Sequence, residues 1–391
     1  MRLARYLYLL SFALSHTACS SGKEEAKISA SLSEQQFEFE IYDSLVVDYL
    51  GNLDIADISG DGESFLLIDH QTDTLVVTDT AGEILYKFKK LGDGPGLYQT
   101  SRLGPPHFLD PNEIIIPAYR GFYLYSLSGT PTRSFLPEFT PSISFVDMFH
   151  NHLVVRKDQV FYTWEGRIAD EIGTEGRKFQ LATHRVEVLD MESGKFTPAV
   201  PFPAQSKFNT GEKSYLNTNY QTTLASRRDT LYLAFRNEPV IYGYHMSAME
   251  QPASTQKIPF EEFIQKEPKD ADVFGKYDMT DLYVGTVQNI HPTEKQRFLV
   301  AYSRGLTDQE YEEIFALQDI DKEEFYRMMK AVNKSGLVVF DGNAVSQIID
   351  KPNQLGFTYK FVSEDEIWFT PDFDLFEKDH VVIYKTRISA N

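Results

Sequence analysis

The sequence predicts an all-β fold built from repeated four-stranded antiparallel sheets, and two observations lead to this prediction. Short runs of Val, Ile, Leu, Tyr and Phe recur from Phe37 onward, and each run is bounded by Gly, Asp, Asn or Pro. This is the pattern of β-strands joined by turns. Helical periodicity, in contrast, is nearly absent along the same stretch.

The clearest repeating unit lies between Leu53 and Lys90. Its predicted strands cover residues 53–58, 64–69, 74–78 and 84–88, and tight turns join them. Weaker repeats of the same pattern follow at residues 113–125, 152–162, 185–189, 230–244, 298–302 with 337–340, and 358–370 with 381–384. Repetition of one four-stranded unit predicts a single β-propeller domain over residues 35–391.

Six blades would average about 60 residues each, more than the roughly 40 to 50 of compact propeller repeats, so we expect insertions. One predicted insertion covers residues 307–334, where Thr307 and Glu310 form a capping box ahead of spaced apolar residues. It predicts one or two short helices inside a late blade. A further short helix is predicted at Glu261 to Lys266, and seven blades is the alternative count.

The extra strand predicted at Phe37 to Tyr49 precedes the first full unit. We expect it to complete the blade formed by the C-terminal strands. Closing the ring in this way removes sheet edges that would otherwise invite aggregation.

The N-terminal residues predict export. Residues 1–18 form a signal peptide in which two arginines precede an apolar run over residues 6–14, and small and polar residues lead to Cys19. The run is too short to span a bilayer, which takes about 20 apolar residues. Cys19 is the only cysteine, so no disulfide can form within the chain. Residues 19–34 are polar and without periodicity, which predicts a tether.

Ala18-Cys19 resembles a bacterial lipobox, although His16 stands where a leucine is usual. The residues from Ser20 to Glu25 resemble the surface-export signal of Bacteroidota lipoproteins. This resemblance implies lipidation at Cys19, an outer-membrane location in the cell envelope, and surface exposure if the export signal is used. A plainly secreted protein is the alternative.

A second resemblance lies between the first two predicted blades, at Gly92, Gly94, Pro95, Gly96 and Tyr98. The motif resembles the Gly-x-Gly-Pro-Gly-x-aromatic signature of six-bladed β-propeller lipoproteins of Bacteroidota, which are similar in architecture to NHL and TolB-like propellers. It implies six blades and an envelope location, and it implies no particular activity. From the residues themselves we interpret this stretch as a structural loop that joins two blades, because glycines allow positive φ angles and proline stiffens the chain.

Two patterns could hold a metal, and each has a structural interpretation. Asp57, Ser59 and Asp61 resemble the start of a calcium loop, but position twelve is Ile68 and a turn between strands explains them as well. His150 and His152 are spaced so as to share one face of a strand, but a turn also accounts for them. We therefore assign no metal site.

The sequence contains no catalytic motif of the serine-hydrolase, zinc-protease or Cys-His type, so no catalytic residue and no cofactor is assigned. The formal net charge of −19 disfavours nucleic acid as a partner. Aromatic residues such as Tyr119 and Tyr123 could stack on sugars, or they could pack between blades. The loop from Ser206 to Gln221, rich in Asn, Thr and Tyr, is the segment most suited to ligand contact.

These observations together predict a lipid-anchored propeller that acts as a binding or scaffold module for a protein, peptide or glycan of unknown identity. The alternative is a metal-assisted hydrolase or lyase with its site in the central channel. An enzyme of that kind would show His, Asp or Glu side chains converging from different blades.

Overall fold

The computed structural model describes residues 32–99, 101–143, 151–270, 279–316, 321–373, 375 and 379–390. These residues form six antiparallel sheets arranged as the blades of a propeller, with three α-helices in the connections. The signal peptide, Cys19 and most of the tether lie outside the described residues. Among the residues that are described, no helix is long and apolar enough to cross a membrane.

The first strand, β1, belongs to the last blade, and the first two complete blades follow it along the chain. The strands are β1 (Phe37–Val47); for blade 1, β2 (Asp54–Ile58), β3 (Ser64–Asp69), β4 (Thr74–Asp79) and β5 (Ile84–Lys89); and for blade 2, β6 (His107–Asp110), β7 (Glu113–Ala118), β8 (Gly121–Ser126) and β9 (Pro131–Phe135).

Blade 3 carries an insertion between its second and third strands, and blade 4 is regular. The elements in chain order are β10 (Thr140–Ser142), β11 (Leu153–Arg156), β12 (Gln159–Thr163), β13 (Gly166–Ile168), α1 (Gly176–Ala182), β14 (Val186–Asp190) and β15 (Phe196–Ala199), then β16 (Thr222–Arg227), β17 (Thr230–Phe235), β18 (Val240–His245) and β19 (Ser254–Lys257). Strands β10 and β13 pair with each other outside the blade.

Blade 5 carries the helical insertion, and blade 6 is completed by β1. The elements are β20 (Thr286–Pro292), β21 (Phe298–Ser303), α2 (Asp308–Phe315), α3 (Lys322–Val332) and β22 (Ser335–Phe340), then β23 (Leu355–Phe361), β24 (Glu366–Pro371) and β25 (Val381–Ala390). Four short 3₁₀ turns within the described ranges are Leu32–Glu34, Lys207–Asn209, Asn217–Tyr220 and Met279–Leu282.

The ring closes through the N-terminal strand, as predicted. β1 pairs antiparallel with β25 from Phe37 opposite Ala390 to Val47 opposite Val381, so it is the outermost strand of blade 6. Because the first strand of the chain completes the last blade, both ends of the domain are held in one sheet.

Six apolar clusters hold the blades together, and each lies between two neighbouring blades. Leu75, Val76 and Val77 show why: these successive residues of β4 are all fully buried. Successive side chains of a strand point to opposite faces, so a strand buried on both faces is a continuous apolar run. This burial on both faces explains the uninterrupted apolar runs in the sequence.

Three sequence predictions need correction or refinement. Residues 152–162 and 185–189, which look like separate units, belong to one blade, since the insertion over residues 164–185 separates its second and third strands. Blade 5 has three regular strands, and residues 345–350 follow β22 with only scattered backbone hydrogen bonds. Glu261 to Lys266 is not helical, because Ile264 forms backbone hydrogen bonds with Arg304 and Gly285.

The helical insertion of blade 5 is confirmed. Thr307 caps α2, and its side chain and that of Glu310 form the predicted reciprocal capping box. Asp321 caps α3 through the backbone amide of Glu324.

The two faces of the ring differ in their connections. One face, here called the turn face, carries the connections at residues 59–63, 80–83, 111–112, 127–130, 157–158, 191–195, 228–229, 246–253, 293–297 and 362–365. The opposite face, here called the loop face, carries the long connections from β5 to β6, β9 to β11, β12 to β14, β15 to β16, β19 to β20 and β21 to β22, together with the short turns at residues 70–73, 119–120 and 236–239.

Candidate ligand cleft on the loop face

The innermost strands of the blades line the propeller axis, and a partly buried ion pair lies there. Lys360 from blade 6 lies 2.6 Å from the carboxylate of Asp57 in blade 1. The same carboxylate accepts a hydrogen bond from the backbone amide of Phe108 at 2.9 Å, and His107 is 3.5 Å away. Burial opposes ionisation of Asp57, but Lys360 and His107 outweigh it and hold the pKa of the carboxyl well below its ordinary value.

A second group of axial side chains centres on Asn289 of β20. Its amide oxygen accepts hydrogen bonds from the backbone amide of Asn151 at 2.8 Å and the hydroxyl of Thr223 at 3.1 Å. Tyr359 lies 3.5 Å from the amide nitrogen of Asn289 and 3.4 Å from Nε2 of His291. Burial, followed by the charge of Lys360, lowers the pKa of His291 to about 3, so this ring is neutral at physiological pH.

Asp57, His107 and His291 therefore lie on the innermost strands of three blades, and each is already in contact with neighbouring side chains of the fold. Asp57 is bound by Lys360, and the ring of His291 stacks on Phe361 with the centroids 4.7 Å apart. Within the described part of the chain, no group of three or more His, Cys, Asp or Glu side chains is placed to hold a metal ion.

A small cleft of about 40 Å³, partly open to solvent, lies where blades 2, 3 and 4 meet on the loop face. Its walls combine polar and apolar side chains. They are Leu103, Ser142, Ile143, His152, Tyr162, Thr163, Trp164, Glu165, Gln221 and Thr222. Such a mixture of aromatic surface and convergent polar groups is typical of small-molecule sites.

Glu165 is the one acidic side chain among these lining residues, and it lies two residues after the end of β12. It is only 6% exposed. Ser142 from β10 donates to its Oε2 at 3.3 Å, and Asn217 donates to the same oxygen at 3.2 Å. Asn217 also donates to the backbone oxygen of Thr174. Asn217, in the loop before blade 4, therefore links Glu165 to another part of the blade 3 insertion.

Arg185 lies behind this wall, at the start of β14, and is completely buried. Its guanidinium packs 4.4 Å from the ring centre of Phe202 and 5.0 Å from that of Tyr220, and it donates to Thr183. Burial lowers its pKa to about 10, while Tyr220 and then Glu165 act in the opposite direction. At neutral pH the cleft wall is thus backed by a buried positive charge that attracts Glu165.

The aromatic wall of the cleft is fixed by neighbouring rings. Trp164 makes an edge contact with Tyr162 at 5.2 Å and with Phe139 at 5.4 Å, measured between ring centres. Phe122 and Phe196 lie within 6.2 Å of it at smaller interplanar angles. Contacts on several sides leave the indole little freedom to rotate, so the wall is rigid before any ligand binds.

The cleft and the axial network are contiguous. His152 and Thr222 line the cleft, while their neighbours Asn151 and Thr223 both donate to Asn289 below it. The floor of the cleft is therefore held by hydrogen bonds to blade 5.

The motif at residues 92–98 lies away from this cleft and joins blades 1 and 2. Tyr98 is fully buried and donates to Asp73, which also accepts from Arg102 at 2.8 Å. Gly96 has φ +72°, and a Cβ atom there would lie 2.3 Å from Cγ of Pro131. These contacts explain why the loop uses glycine at residue 96 and an aromatic residue at 98.

The residues of the calcium-like pattern have other partners. Asp57 lies on the axis, while the hydroxyl of Ser59 donates to Asp61 at 2.6 Å and accepts from the amide of Ser64. These contacts close the turn between β2 and β3. The structural interpretation of this pattern therefore accounts for each of its three oxygen-bearing side chains.

The paired histidines and the loop from Ser206 to Gln221, which the sequence offered as candidate sites, contribute only in part to the cleft. His152 lines the cleft, whereas His150 lies outside the described residues. Within the loop from Ser206 to Gln221, Tyr215 and Tyr220 are buried in the cluster between blades 3 and 4, which excludes stacking on an external ligand. Gln221, at the end of that loop, does line the cleft.

Sequence reasoning missed Trp164 and Glu165, which lie just beyond the unit predicted at residues 152–162. The sequence signal that could have identified Glu165 is its position just after a buried strand, at the start of a connection much longer than a turn. Ser142 could not have been found, because it reaches Glu165 only through the pairing of β10 with β13.

Comparisons with known proteins agree with the fold. A DUF4221 family member from Bacteroides vulgatus has a TM-score of 0.64 and 13% identity, covering 91% of this chain and 99% of its own. A putative exported protein from Bacteroides fragilis has a TM-score of 0.48 and 14% identity, covering 92% and 96% respectively. The extracellular domain of a putative one-component system from B. thetaiotaomicron has a TM-score of 0.38 and 10% identity, covering 88% and 40%.

No family model matches the sequence, and no curated protein matches it. At identities this low, structural likeness concerns the fold alone. The chain is therefore a six-bladed β-propeller that shares its fold with a DUF4221 protein of Bacteroides vulgatus, as the motif at residues 92–98 predicted.

Proposed function

We propose that this chain is an envelope lipoprotein, anchored through Cys19, whose propeller binds a small ligand in the loop-face cleft. The observation that carries the proposal is the cleft itself. It combines a buried carboxylate, several hydroxyl and amide groups and a rigid aromatic wall on the face that carries the long connections. Loops held by a rigid scaffold are where binding sites are commonly found.

The strand directions support this arrangement. β1 begins at Phe37 on the turn face and runs toward the loop face, where residues 48–53 lead into β2. A tether that precedes Phe37 therefore joins the domain at the turn face. With lipid at Cys19, the cleft would lie on the side of the ring opposite the attachment point.

The channel enzyme has weaker support. Asp57, His107 and His291 lie on innermost strands, but among the described residues no three such side chains are grouped to hold a metal, Lys360 already neutralises Asp57, and Phe361 stacks on His291. A hydrolase or lyase that uses this channel would first have to break the partly buried ion pair between Lys360 and Asp57.

The lipid anchor is tested by expressing the full chain in a Bacteroides host and measuring the mass of the mature N-terminal peptide. We expect a diacylglycerol modification on Cys19 and recovery in the membrane fraction. The control is Cys19→Ser, which should be recovered without lipid. An unmodified mature peptide in the wild-type protein would refute the anchor and indicate a secreted protein.

The binding role is tested separately by thermal unfolding of the chain from residue 19 with Cys19→Ser. Libraries of neutral sugars, peptides, amino acids and divalent metals are screened, since a ligand selective for the folded state raises the melting temperature. We expect a saturable rise with an organic ligand. A rise with metals alone, abolished by His107 or His291 substitutions, would favour the channel enzyme instead.

A further inference from the structure

The outermost strand of blade 1, β5, exposes apolar side chains in succession. Ile84, Leu85 and Tyr86 are 38%, 47% and 41% exposed. Tyr86 lies opposite Val77 of β4 but Ile84 lies opposite Thr78, so Leu85 is the extra residue of a β-bulge. Because a bulge redirects the side chains around it, neighbouring apolar groups protrude from the outer rim of the ring at this point.

These side chains adjoin an exposed apolar residue of blade 6. Val46 of β1 is 49% exposed. A Cβ atom at Gly82, two residues before Ile84, would lie 2.0 Å from the backbone oxygen of Val46, so the end of β1 lies beside the start of β5. Val46, Ile84, Leu85 and Tyr86 are here called the outer-rim strip. A contiguous apolar strip of this kind is typical of an interaction surface, whereas single exposed apolar residues are ordinary.

The backbone of β5 offers a free sheet edge beside this strip. The strand ends the sheet of β2, β3, β4 and β5, and no other described strand pairs with it. The outer strands of blades 2, 3 and 4 are less suited to pairing: β9 begins with Pro131, β15 contains Pro198, and β19 has four residues, all polar or charged. Proline lacks the amide hydrogen that a sheet edge donates. An extended peptide can therefore add a fifth strand to blade 1 more readily than to these three blades.

Three lysines give this edge a positive charge. Lys87 and Lys89 are exposed, and Lys90 is half-buried. Lys87 lies 4.6 Å from the ring centre of Tyr49 and Lys90 lies 5.8 Å from that of Tyr125, and none of the three lysines forms an ion pair with a described carboxylate. Their charges are thus available to a partner, and carboxylates on that partner would be complementary.

Charge also favours a peptide over a second copy of the chain as the occupant. Each copy carries a formal net charge of −19. Electrostatic repulsion grows with the product of the charges, so two copies repel each other far more strongly than one copy repels a short peptide with a few carboxylates.

We propose that β5 binds an extended peptide segment of another protein in which acidic and apolar residues alternate. The segment pairs with the free edge of β5, its carboxylates lie near Lys87 and Lys89, and its apolar side chains pack on the outer-rim strip. This surface is separate from the loop-face cleft, so the inference does not depend on the ligand of the cleft.

The test uses the chain from residue 19 with Cys19→Ser and a fluorescently labelled nine-residue peptide in which three glutamates alternate with valine and tyrosine. One companion peptide carries lysine in place of each glutamate. A second keeps the side chains but has N-methylated amides in its central residues, which therefore cannot donate to a strand. We expect saturable binding of the glutamate peptide by fluorescence anisotropy, and at least about tenfold weaker binding of both companions.

Two variants with equal changes in net charge locate the site. Lys87→Glu combined with Lys89→Glu should weaken binding at least about tenfold. Lys195→Glu combined with Lys257→Glu, at exposed residues of blades 3 and 4, should leave it almost unchanged. In the chain without these changes, hydrogen exchange of the backbone amides of residues 84–89 should slow when the glutamate peptide binds.

The proposal would be overturned if the glutamate peptide failed to bind, if either companion bound equally well, or if the Lys87 and Lys89 variant kept full affinity. Unchanged hydrogen exchange at residues 84–89 would also overturn it. Dimerisation in sedimentation velocity that the same variant abolishes would assign the edge to a second copy instead. Binding to phosphatidylglycerol vesicles that the variant abolishes would assign it to a membrane surface.

Discussion

Two connections on opposite faces of the propeller are held by different kinds of contact. The turn after Asp79, on the turn face, is held by local hydrogen bonds, because the Asp79 carboxylate accepts from the amides of Ala81 and Glu83, only a few residues away. At Asn237, on the loop face, the hydrogen bonds span long stretches of chain, since the buried side chain donates to the backbone oxygens of Ile264 and Gly285. The first connection is thus determined by a short peptide, whereas the second joins distant segments.

Glu238 illustrates the same point beside Asn237. Its carboxylate accepts hydrogen bonds from the hydroxyl of Ser206, the amide of Lys207 and the hydroxyl of Tyr242. Burial lowers the pKa of Lys207 to about 8, and Glu238 acts in the opposite direction. Charged groups therefore hold the loop that ends at the cleft, and polar networks of this kind depend on every partner being present. The difference teaches that the loop around Asn237 and Glu238 owes its shape to distant partners acting together, whereas the turn after Asp79 owes its shape to local geometry.

The largest expected effect concerns β1, which links the two faces at the seam of the ring. Deleting residues 32–48 removes the outermost strand of blade 6 and exposes an edge along β25. We expect loss of cooperative unfolding and aggregation, measured by circular dichroism and size-exclusion chromatography. Deleting residues 20–31 instead should leave stability unchanged. A soluble, cooperatively folded protein without β1 would contradict the role of this strand in closing the ring.

Lys360→Met tests the axis between the faces. The change leaves the Asp57 carboxylate buried without its ion-pair partner, so we expect the free energy of unfolding to fall by about 3 kcal/mol at pH 7. Because the pKa of Asp57 is depressed in the folded state, its contribution is present above the ordinary value of about 4 and is lost as the pH falls below it.

Urea unfolding at pH 7 and pH 3 measures both effects of this change. The variant should lose less stability between these pH values than the wild type. Asp57→Asn combined with Lys360→Met should recover part of the loss at pH 7. An unchanged free energy of unfolding in Lys360→Met would show that the ion pair is not needed to hold the inner strands.

A matched pair of glycines compares the faces directly. Gly82 on the turn face and Gly211 on the loop face have φ angles of +87° and +75°. A Cβ atom at residue 82 would lie 2.0 Å from the backbone oxygen of Val46, whereas nothing lies within 4 Å of one at residue 211. Gly82→Ala should lower the free energy of unfolding by about 2–3 kcal/mol and Gly211→Ala by about 1 kcal/mol, measured by urea unfolding. Equal losses would mean that only backbone strain matters.

His291→Phe is expected to give the smallest effect at neutral pH, and its main consequence is a change in pH dependence. In the folded state the pKa of His291 is lowered to about 3, from about 6.5 in the unfolded chain. Between these values only the unfolded chain binds the proton, so stability falls as the pH falls. Replacing the ring should remove a slope of about 1.4 kcal/mol per pH unit between pH 6 and pH 4. An identical slope in the variant would show that His291 is protonated in the fold.

Much of the fold could be predicted because its signals are local. The four strands of blade 1 match the predicted runs to within a residue at most ends, since each is bounded by turn residues such as those at 59–62 and 79–82. The capping box at Thr307 was predicted for the same reason. The helix predicted at residues 261–266 was wrong, because backbone contacts of Ile264 with distant segments override local propensity.

The sequence by itself determined the all-β class, the blade repeat and the strand that closes the ring, because alternation, turns and apolar runs act within a few residues. Only the tertiary structure decided that the repeats at residues 152–162 and 185–189 form one blade, that Tyr215 and Tyr220 lie in the core, and that Glu165 faces a cleft. Ser142, Glu165, Arg185 and Gln221 come from four segments that meet through the ring, and no local pattern encodes such a meeting.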